Sequence, residues 1–227
     1  MQIIILAAGK GSRLGNLAYP KALTPLANGE TILGRQIRQI QKLIPETLIH
    51  IVVGYRKELI IEQYDKLNFI INDSFATENT AKSLLRALKP SQGDILWMNG
   101  DVVFHSEALE TLLNTGPTAM LVNIGRVAEE EVKYRLNDNG DIAETSKEVQ
   151  NPVGEAVGIN YFNEKDARLL QAALINCKQN DYFEKGIEVC IQNGMQIHPA
   201  TIPYDRCVEI DFPTDLDRAN QLLAQWE

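Results

Sequence analysis

The sequence contains few of the residues that build disulfide frameworks, zinc sites or histidine-based catalytic centres. Its 227 residues include three cysteines and three histidines. Cys177, Cys190 and Cys207 are widely spaced and form no C-x-x-C pair, which argues against a disulfide framework and a zinc site and fits a reducing compartment. The histidines are His50, His105 and His198. Their surroundings indicate neither a nucleophilic site nor a metal site.

Long apolar segments and an excess of basic charge are also missing. The longest apolar run near the N-terminus covers residues 3–8 and follows no lysine or arginine, so it is too short for a secretory signal or a membrane span. The 22 basic and 30 acidic residues give a net charge of -8. This balance argues against nonspecific electrostatic binding to nucleic acid or to an anionic membrane. We therefore expect a cytoplasmic protein with neither partner.

The first half of the chain alternates short apolar runs with helix-like segments. A composition of 44% hydrophobic and 23% charged residues is that of a soluble globular chain, and we expect one domain over residues 1–227. The predicted strands cover residues 2–6, 48–53, 69–71, 94–98 and 119–124, and the predicted helices cover 33–44, 57–64, 80–88 and 107–113. This alternation predicts an α/β fold, a Rossmann-like and mainly parallel sheet flanked by helices.

The pattern changes after residue 132. Residues 132–136 and 142–149 flank the sequence NDNGD, which predicts a hairpin. A strand over 157–162 and helices over 164–175, 181–192 and 213–225 follow, with Thr214 at or near the cap of the last helix. We expect a small mixed β lobe over about 126–205, between a first part of about 1–125 and a closing segment of about 206–227.

A glycine-rich segment directly follows the first predicted strand. Residues 6–14 have the sequence LAAGKGSRL, and residues 20–26 have the sequence PKALTPL. Open α/β sheets bind ligands at the carboxyl ends of their strands, and Gly9, Gly11 and Gly15 allow backbone N–H groups to approach an anion. The spacing fits neither the dinucleotide fingerprint, since Leu14 stands where the third glycine belongs, nor a P-loop. Glycine content alone is equally consistent with a flexible connecting loop that binds no ligand.

Charge distribution favours anion binding by this segment. The first 29 residues contain Lys10, Arg13 and Lys21 and no acidic residue, so all 30 acidic residues of the chain lie beyond them. A glycine-rich, positively charged segment in an otherwise acidic chain is typical of a polyphosphate-binding loop.

These two sequences resemble the signature of nucleotidyltransferases that join a nucleoside triphosphate to a phosphorylated small molecule and release pyrophosphate. The resemblance implies that the loop backbone contacts the base and phosphates. The implied loop residues are Leu6, Ala7, Ala8, Gly9, Lys10 and Gly11. It also implies that Arg13 holds the triphosphate and that Lys21 bridges the α-phosphate and the attacking phosphate.

Two acidic segments complete the resemblance. Asn99-Gly100-Asp101 follows an apolar strand, and residues 208–215 have the sequence VEIDFPTD. Taken alone, Asp101 is equally explained as a turn residue. The family resemblance implies that Asp101 and Asp211 ligate magnesium, and we place Asp215 in the first turn of the closing helix. A triphosphate of about -4, a phosphomonoester of about -2 and two carboxylates exceed the +3 of the loop, so the charge count also calls for Mg²⁺.

The segment at residues 78–84, with the sequence ENTAKSL, begins a predicted helix. Asn79 or Thr80 suits its N-cap, and this capping role is the alternative to a ligand contact. The resemblance implies base and ribose contacts by Asn79, Thr80 and Ser83. Phosphocholine cytidylyltransferases often carry Asn-Asn where this chain has Asn79-Thr80, so the base is left open.

Acceptor contacts are expected in the second part of the chain. By resemblance, Lys147 is the candidate for the acceptor phosphate and Glu155 for a polar acceptor group; solvated hairpin positions are the alternative. Asp181, Tyr182 and Glu184 resemble the acidic and aromatic segment that faces the acceptor in choline-phosphate enzymes, where rings and carboxylates hold a quaternary ammonium. An ordinary helix start capped by Asp181 explains the same residues.

The resemblance implies a nucleotide-diphospho-sugar transferase type of fold and in-line attack of a phosphomonoester on the α-phosphorus. The favoured substrates are CTP and phosphocholine or a similar phospho-alcohol. A sugar-1-phosphate nucleotidyltransferase using UTP, CTP or dTTP is the alternative, and a non-catalytic nucleotide sensor is an alternative of another class. The sequence does not distinguish a monomer from a homodimer.

Overall fold

The computed structural model describes residues 1–15, 17–89, 92–125 and 127–226. The strands are β1 (Gln2–Ala7), β2 (Leu48–Val53), β3 (Asn68–Ile71), β4 (Ile95–Asn99), β5 (Val102–Phe104), β6 (Thr118–Asn123), β7 (Lys133–Leu136), β8 (Ile142–Ser146), β9 (Gly154–Phe162), β10 (His198–Ile202) and β11 (Cys207–Glu209). The α-helices are α1 (Ile32–Leu43), α2 (Lys57–Gln63), α3 (Thr80–Leu88), α4 (Ser106–Thr115), α5 (Glu164–Asn176), α6 (Phe183–Gln192) and α7 (Pro213–Trp226).

The central sheet has the strand order β10-β6-β9-β4-β1-β2-β3. Neighbouring strands are parallel except at β9, which runs antiparallel to both β4 and β6. The start of β9 also pairs with β7, which forms the predicted hairpin with β8. A separate antiparallel pair joins β5 to β11. The prediction of a mainly parallel α/β sheet with a small antiparallel region is confirmed.

Helices cover both faces of the sheet because its central strands are apolar on both faces. Side chains alternate along a strand, so Ile3 and Ile5 of β1 join a core with α1 and α4, whereas Ile4 and Leu6 join a core with α3, α5 and α6. Buried parallel strands are typically such continuous apolar runs. The resulting rigid sheet fixes the carboxyl ends of β1 and β4 side by side.

Three strands, β5, β10 and β11, are absent from the sequence-based prediction, and β9 begins earlier than predicted. The strands β5 and β11 have three residues each, so they carry too little periodicity to be recognised without their partner. The strand β10 contains His198, which also has an unforeseen partner, since its Nδ1 lies 2.9 Å from Asp141 Oδ1. Thr214 is the second residue of α7, so it lies near the N-cap, as predicted.

Across the described part of the chain, every helix is too short or too polar to span a bilayer.

Candidate active site

The glycine-rich loop lies between β1 and a short 3-10 helix at Lys21–Leu23. Gly11 has a φ of 65°, a conformation that favours glycine. A Cβ at this position would lie 2.5 Å from the Cβ of Lys21, which is too close for any side chain. Gly11 therefore lets the loop pack directly on the stem of Lys21.

Asp101 and Asp211 meet because the strands next to them pair. Asp101 immediately precedes β5 and Asp211 lies two residues beyond β11, and Val102 is opposite Glu209 in the antiparallel register. The Ile210 N–H also donates to the Asp101 carbonyl at 3.0 Å. The carboxylate of Asp215 fixes the following turn by accepting from the N–H groups of Asp211 and Phe212 at 3.0 and 2.6 Å.

Lys21 joins the two aspartates. Its Nζ donates to Asp101 Oδ2 at 2.8 Å and to Asp211 Oδ1 at 2.5 Å, and Arg13 donates to Asp211 Oδ2 at 2.9 Å. Burial by itself lowers the pKa of Lys21, but the two carboxylates raise the pKa above its ordinary value. Burial likewise raises the pKa of Asp211, and Lys21 and Arg13 outweigh it, so the pKa of Asp211 is lowered. Lys21, Arg13 and Asp211 are therefore charged near neutral pH.

These residues line a cavity of about 400 Å³ that lies at the carboxyl ends of β1 and β4. Most of the predicted site residues are on its wall: Leu6, Ala7, Gly9, Gly11, Arg13, Lys21, Asn79, Thr80, Asp101, Lys147, Tyr182, Glu184 and Asp211. The sequence segments predicted to bind nucleotide, metal and acceptor thus converge on one cavity, while the individual roles stay predictions.

Five predicted residues are not on this wall: Ala8, Lys10, Ser83, Glu155 and Asp181. The Ser83 hydroxyl accepts from Asn72 Nδ2 inside the protein, and the Glu155 carboxylate accepts from Asn123 Nδ2 and the Ala128 N–H. Lys10 is exposed, with its Nζ 5.9 Å from the ring centroid of Tyr55. The side chains of Ser83 and Glu155 are therefore engaged away from the cavity.

The predicted base-binding turn is tied to the predicted acceptor segment. Asn79 caps α3 by accepting from the Thr80 N–H at 2.8 Å, which confirms the capping alternative. Thr80 Oγ accepts from the Phe183 N–H at 3.0 Å. Asp181 does not cap α6, since Tyr182 occupies that position and the Asp181 carboxylate accepts from the Lys178 N–H. The start of α3 and the start of α6 therefore form one continuous wall.

The α6 side of the cavity is acidic and aromatic. Tyr182 is 43% exposed, and the ammonium of Lys147 lies 5.4 Å from its ring centroid. Glu184 is buried, and its Oε2 has no hydrogen-bond partner. Burial raises the pKa of Glu184 to about 7, and burial together with Glu155 and Asp211 raises the pKa of Glu131 to about 7.

Three acidic residues on the cavity wall, Glu130, Glu131 and Glu209, were not predicted from the sequence. Glu130 pairs with Arg13 at 3.6 Å and with Lys147 at 3.8 Å. Burial, Asp101 and Glu131 raise the pKa of Glu209 well above its ordinary value. Three successive glutamates, Glu129 to Glu131, were the available signal in the sequence. Charge runs are usually solvated, and Glu129 and Glu130 are indeed exposed, whereas Glu131 is half-buried.

The two aspartates fit a magnesium ion. Both carboxylates contact the same Lys21 atom and so face one point, and Asp101 Oδ1 is buried without a hydrogen-bond partner. Mg²⁺ prefers oxygen ligands and is usually held by one or two carboxylates together with phosphates and water. The described residues contain no cluster of three or more His, Cys, Asp or Glu side chains placed around a metal position. A metal ion bound here would therefore need oxygen atoms of the substrate as additional ligands.

We expect Glu184→Gln to remove a pH-dependent loss of stability. The pKa of Glu184 is about 7 in the fold, against an ordinary value of 4.5, so the native protein binds more protons than the unfolded chain between these values. Its stability therefore falls as pH rises through this window, by on the order of 3 kcal/mol from this residue. The stability difference between Glu184→Gln and the parent should grow from pH 5 to pH 7 and then level off.

Urea unfolding at several pH values measures this difference. Glu164→Gln at the start of α5 is the control because Glu164 pairs with Arg168 at the surface. Parallel pH profiles for Glu184→Gln and the parent would contradict the prediction.

Comparisons with known proteins agree with the geometry. The family model described as the MobA-like NTP transferase domain matches residues 3–208. UTP–glucose-1-phosphate uridylyltransferase AglF of Haloferax volcanii is 29% identical over 99% of this chain and 97% of its own length. The bifunctional protein GlmU of Methanococcus vannielii is 37% identical over 49% of this chain, which covers 27% of that protein.

Solved structures share the fold at low identity. CTP:phosphocholine cytidylyltransferase LicC from Streptococcus pneumoniae superposes with a TM-score of 0.81 at 18% identity, covering 98% of each chain. The inositol-1-phosphate CTP transferase from T. maritima has a TM-score of 0.82 at 18% identity and covers 99% of this chain and 95% of its own. The match of the family model over most of the chain, with the full-length relative, shows that this chain belongs to the MobA-like NTP transferase domain family and is a nucleotidyltransferase.

Proposed function

We propose that this chain transfers the cytidylyl group of CTP to phosphocholine or a similar positively charged phospho-alcohol and releases pyrophosphate. The observation that carries the proposal is the α6 wall of the cavity. Glu184, whose buried Oε2 has no hydrogen-bond partner, lies on this wall together with Tyr182. An aromatic face and a desolvated carboxylate together favour a cationic group.

The ammonium of Lys147 supports this assignment, because it already lies 5.4 Å from the Tyr182 centroid. A cation is therefore compatible with this face of the ring. In the proposed complex the acceptor's ammonium takes this place, and Lys147 contacts the acceptor phosphate. The two substrates are bound by different parts of the chain: residues 1–125 bind the nucleotide, and residues 126–205 supply most of the acceptor contacts. LicC, whose name gives CTP and phosphocholine, has the same fold.

The proposed reaction is an in-line displacement. An oxygen of the acceptor phosphate forms a new bond to the α-phosphorus, while the bond between the α-phosphorus and the bridging oxygen breaks and pyrophosphate leaves with the electron pair. Lys21 neutralises charge on the α-phosphate and the incoming phosphate, and Arg13 contacts the departing pyrophosphate. Asp101 and Asp211 would hold Mg²⁺, whose positive charge favours binding of the triphosphate and its loss of pyrophosphate.

A second candidate is a sugar-1-phosphate nucleotidyltransferase that uses UTP, CTP or dTTP. The specific observation in its favour is AglF, which aligns over almost the whole chain. A neutral sugar would use Glu184 and Glu131 as hydrogen-bond acceptors for hydroxyl groups, as buried carboxylates commonly do. The two candidates differ in whether the acceptor needs a positive charge.

A pyrophosphate-release screen distinguishes them. Four nucleotides, CTP, UTP, dTTP and ATP, are crossed with phosphocholine, glucose 1-phosphate and inositol 1-phosphate. We expect CTP with phosphocholine to give the highest kcat/KM. A higher value for UTP or dTTP with glucose 1-phosphate would overturn the first candidate in favour of the second.

Glu184→Gln sharpens the same screen. We expect it to raise the KM for phosphocholine at least about tenfold, the scale of losing one desolvated charge contact of about 1.4 kcal/mol, with the KM for CTP unchanged. Glu164→Gln is again the control. An unchanged KM for phosphocholine in Glu184→Gln would remove the carboxylate from the acceptor site.

A further inference from the structure

Gln36 is a buried polar side chain outside the cavity that contacts the loop of Asp101. It lies in α1 and is 1% exposed. Its Nε2 donates to the carbonyl of Asn99 at 2.8 Å and to the carbonyl of Val102 at 2.9 Å. Asn99 ends β4 and Val102 begins β5, so one amide group joins the two ends of the loop that presents Asp101.

Backbone hydrogen bonds also hold this loop in place. The Gly100 N–H donates to the Leu6 carbonyl at 2.9 Å, and the Asp101 carbonyl accepts from Ile210. A Cβ on Gly100 would lie 2.8 Å from the Leu6 carbonyl oxygen, so the loop is pressed against β1. Gln36 fixes the loop from the α1 side.

The energetics of Gln36 favour a positioning role over a stabilising one. Its Oε1 is buried without a hydrogen-bond partner, and an unsatisfied buried polar atom is costly. An apolar side chain of the same length would avoid that cost. What the amide adds is its pair of hydrogen bonds to the loop.

Helix α1 also connects this loop to Lys21. The Ile32 N–H at the start of α1 donates to the Thr24 carbonyl at 3.1 Å, directly after the 3-10 helix that contains Lys21. Helix α1 therefore contacts the segment that contains Lys21 and, through Gln36, the loop that contains Asp101. A rigid connection of this kind can set the spacing of the two charged groups.

We propose that Gln36 is a positioning residue that holds Asp101 in place for the metal. This inference rests on the proposed metal site of Asp101 and Asp211. Without the two hydrogen bonds, the backbone between Asn99 and Val102 can relax, and the Asp101 carboxylate no longer faces Asp211 in a fixed geometry. The consequence is weaker binding of the divalent cation, with the nucleotide loop itself unaffected.

The test compares Gln36→Met with Gln39→Met. Methionine has nearly the length of glutamine and donates no hydrogen bond. Gln39 is a matched control because it lies one turn along the same helix, is 8% exposed and also has a buried Oε1 without a partner. The probe is Mn²⁺, titrated by electron paramagnetic resonance into protein that holds a non-hydrolysable CTP analogue.

We expect Gln36→Met to raise the Kd for Mn²⁺ at least about fivefold, the factor that corresponds to about 1 kcal/mol of lost hydrogen bonding. The Mg²⁺ concentration that half-saturates pyrophosphate release should rise by the same factor, while kcat at saturating Mg²⁺ changes less. Gln39→Met should leave both quantities at the parent values. A purely structural role would lower the melting temperature and leave the Kd for Mn²⁺ unchanged.

An unchanged Kd for Mn²⁺ in a folded Gln36→Met protein overturns the inference. If circular dichroism shows that Gln36→Met does not fold, Gln36→Asn is held to the same fivefold criterion, since its amide is one methylene too short to reach both carbonyls. Absence of Mn²⁺ binding by the parent protein would overturn the proposed metal site itself. The two failures are therefore distinguishable.

Discussion

Lys21→Met is expected to lower the rate of pyrophosphate release at least about 100-fold, the scale of losing one charge-stabilising contact, and at the same time to strengthen Mn²⁺ binding to the nucleotide-free protein. The first effect follows from the proposed role of Lys21 at the α-phosphate. The second follows from where the ammonium lies in this structure.

The Lys21 ammonium stands between the two carboxylates that are proposed to hold the metal. It is 2.8 Å from Asp101 and 2.5 Å from Asp211, and the residue is 7% exposed. A divalent cation must displace this charge or share the carboxylates with it. Removing one charge of a buried set leaves the opposite charges uncompensated, and a free divalent cation then restores the balance.

Methionine is the suitable replacement because it keeps the aliphatic stem against which Gly11 packs. Calorimetric titration of Mn²⁺ into the nucleotide-free protein should show a Kd at least about tenfold lower than that of the parent, a change of about 1.4 kcal/mol. Lys57→Met is the control, since Lys57 pairs with Asp73 at the surface and gives the same change of net charge. Near-normal turnover would refute the role of Lys21, and unchanged Mn²⁺ affinity would refute the competition.

Local patterns in the sequence were sufficient to predict where in the fold this site lies. The loop after β1 and the carboxyl end of β4 were identified correctly because each depends on one apolar run followed by glycine and charge. In a parallel sheet the carboxyl ends of these two strands lie at the same edge. The loop of Arg13 and Lys21 is therefore expected to lie at the same edge of the sheet as Asp101.

The position of Asp211 beside Asp101 could not be derived in this way. It depends on the pairing of β5 with β11, two three-residue strands more than 100 residues apart in the chain, and such pairing has no local signature. Here the resemblance of the VEIDFPTD segment supplied what periodicity could not.

Side-chain direction was the second limit. Glu155 and Ser83 lie in segments that approach the cavity, but both point to buried amides, Asn123 and Asn72. A one-residue shift along a strand reverses the face of every side chain. Sequence spacing therefore left the orientation of these side chains open, and it gave no sign that Glu131 lines the cavity.

Asp101→Asn is expected to abolish magnesium-dependent pyrophosphate release while the protein stays folded. The substitution preserves the shape of the side chain and removes its negative charge, so a hard cation loses one of its two anionic ligands. The backbone is unaffected, because the Asp101 carbonyl still accepts from Ile210 and Gln36 still contacts the residues on either side. A thermal melt and pyrophosphate release over a range of Mg²⁺ concentrations measure the two properties, with Asp217→Asn on α7 as the control.

The Mn²⁺ affinities of the two variants give the decisive comparison. Both Lys21→Met and Asp101→Asn should lose turnover, but the first removes a competing cation and the second removes a ligand. Their Kd values for Mn²⁺ should therefore move in opposite directions from the parent value. A general loss of structure would weaken Mn²⁺ binding in both variants. If Asp101→Asn keeps the parent's magnesium dependence, Asp101 does not belong to the metal site.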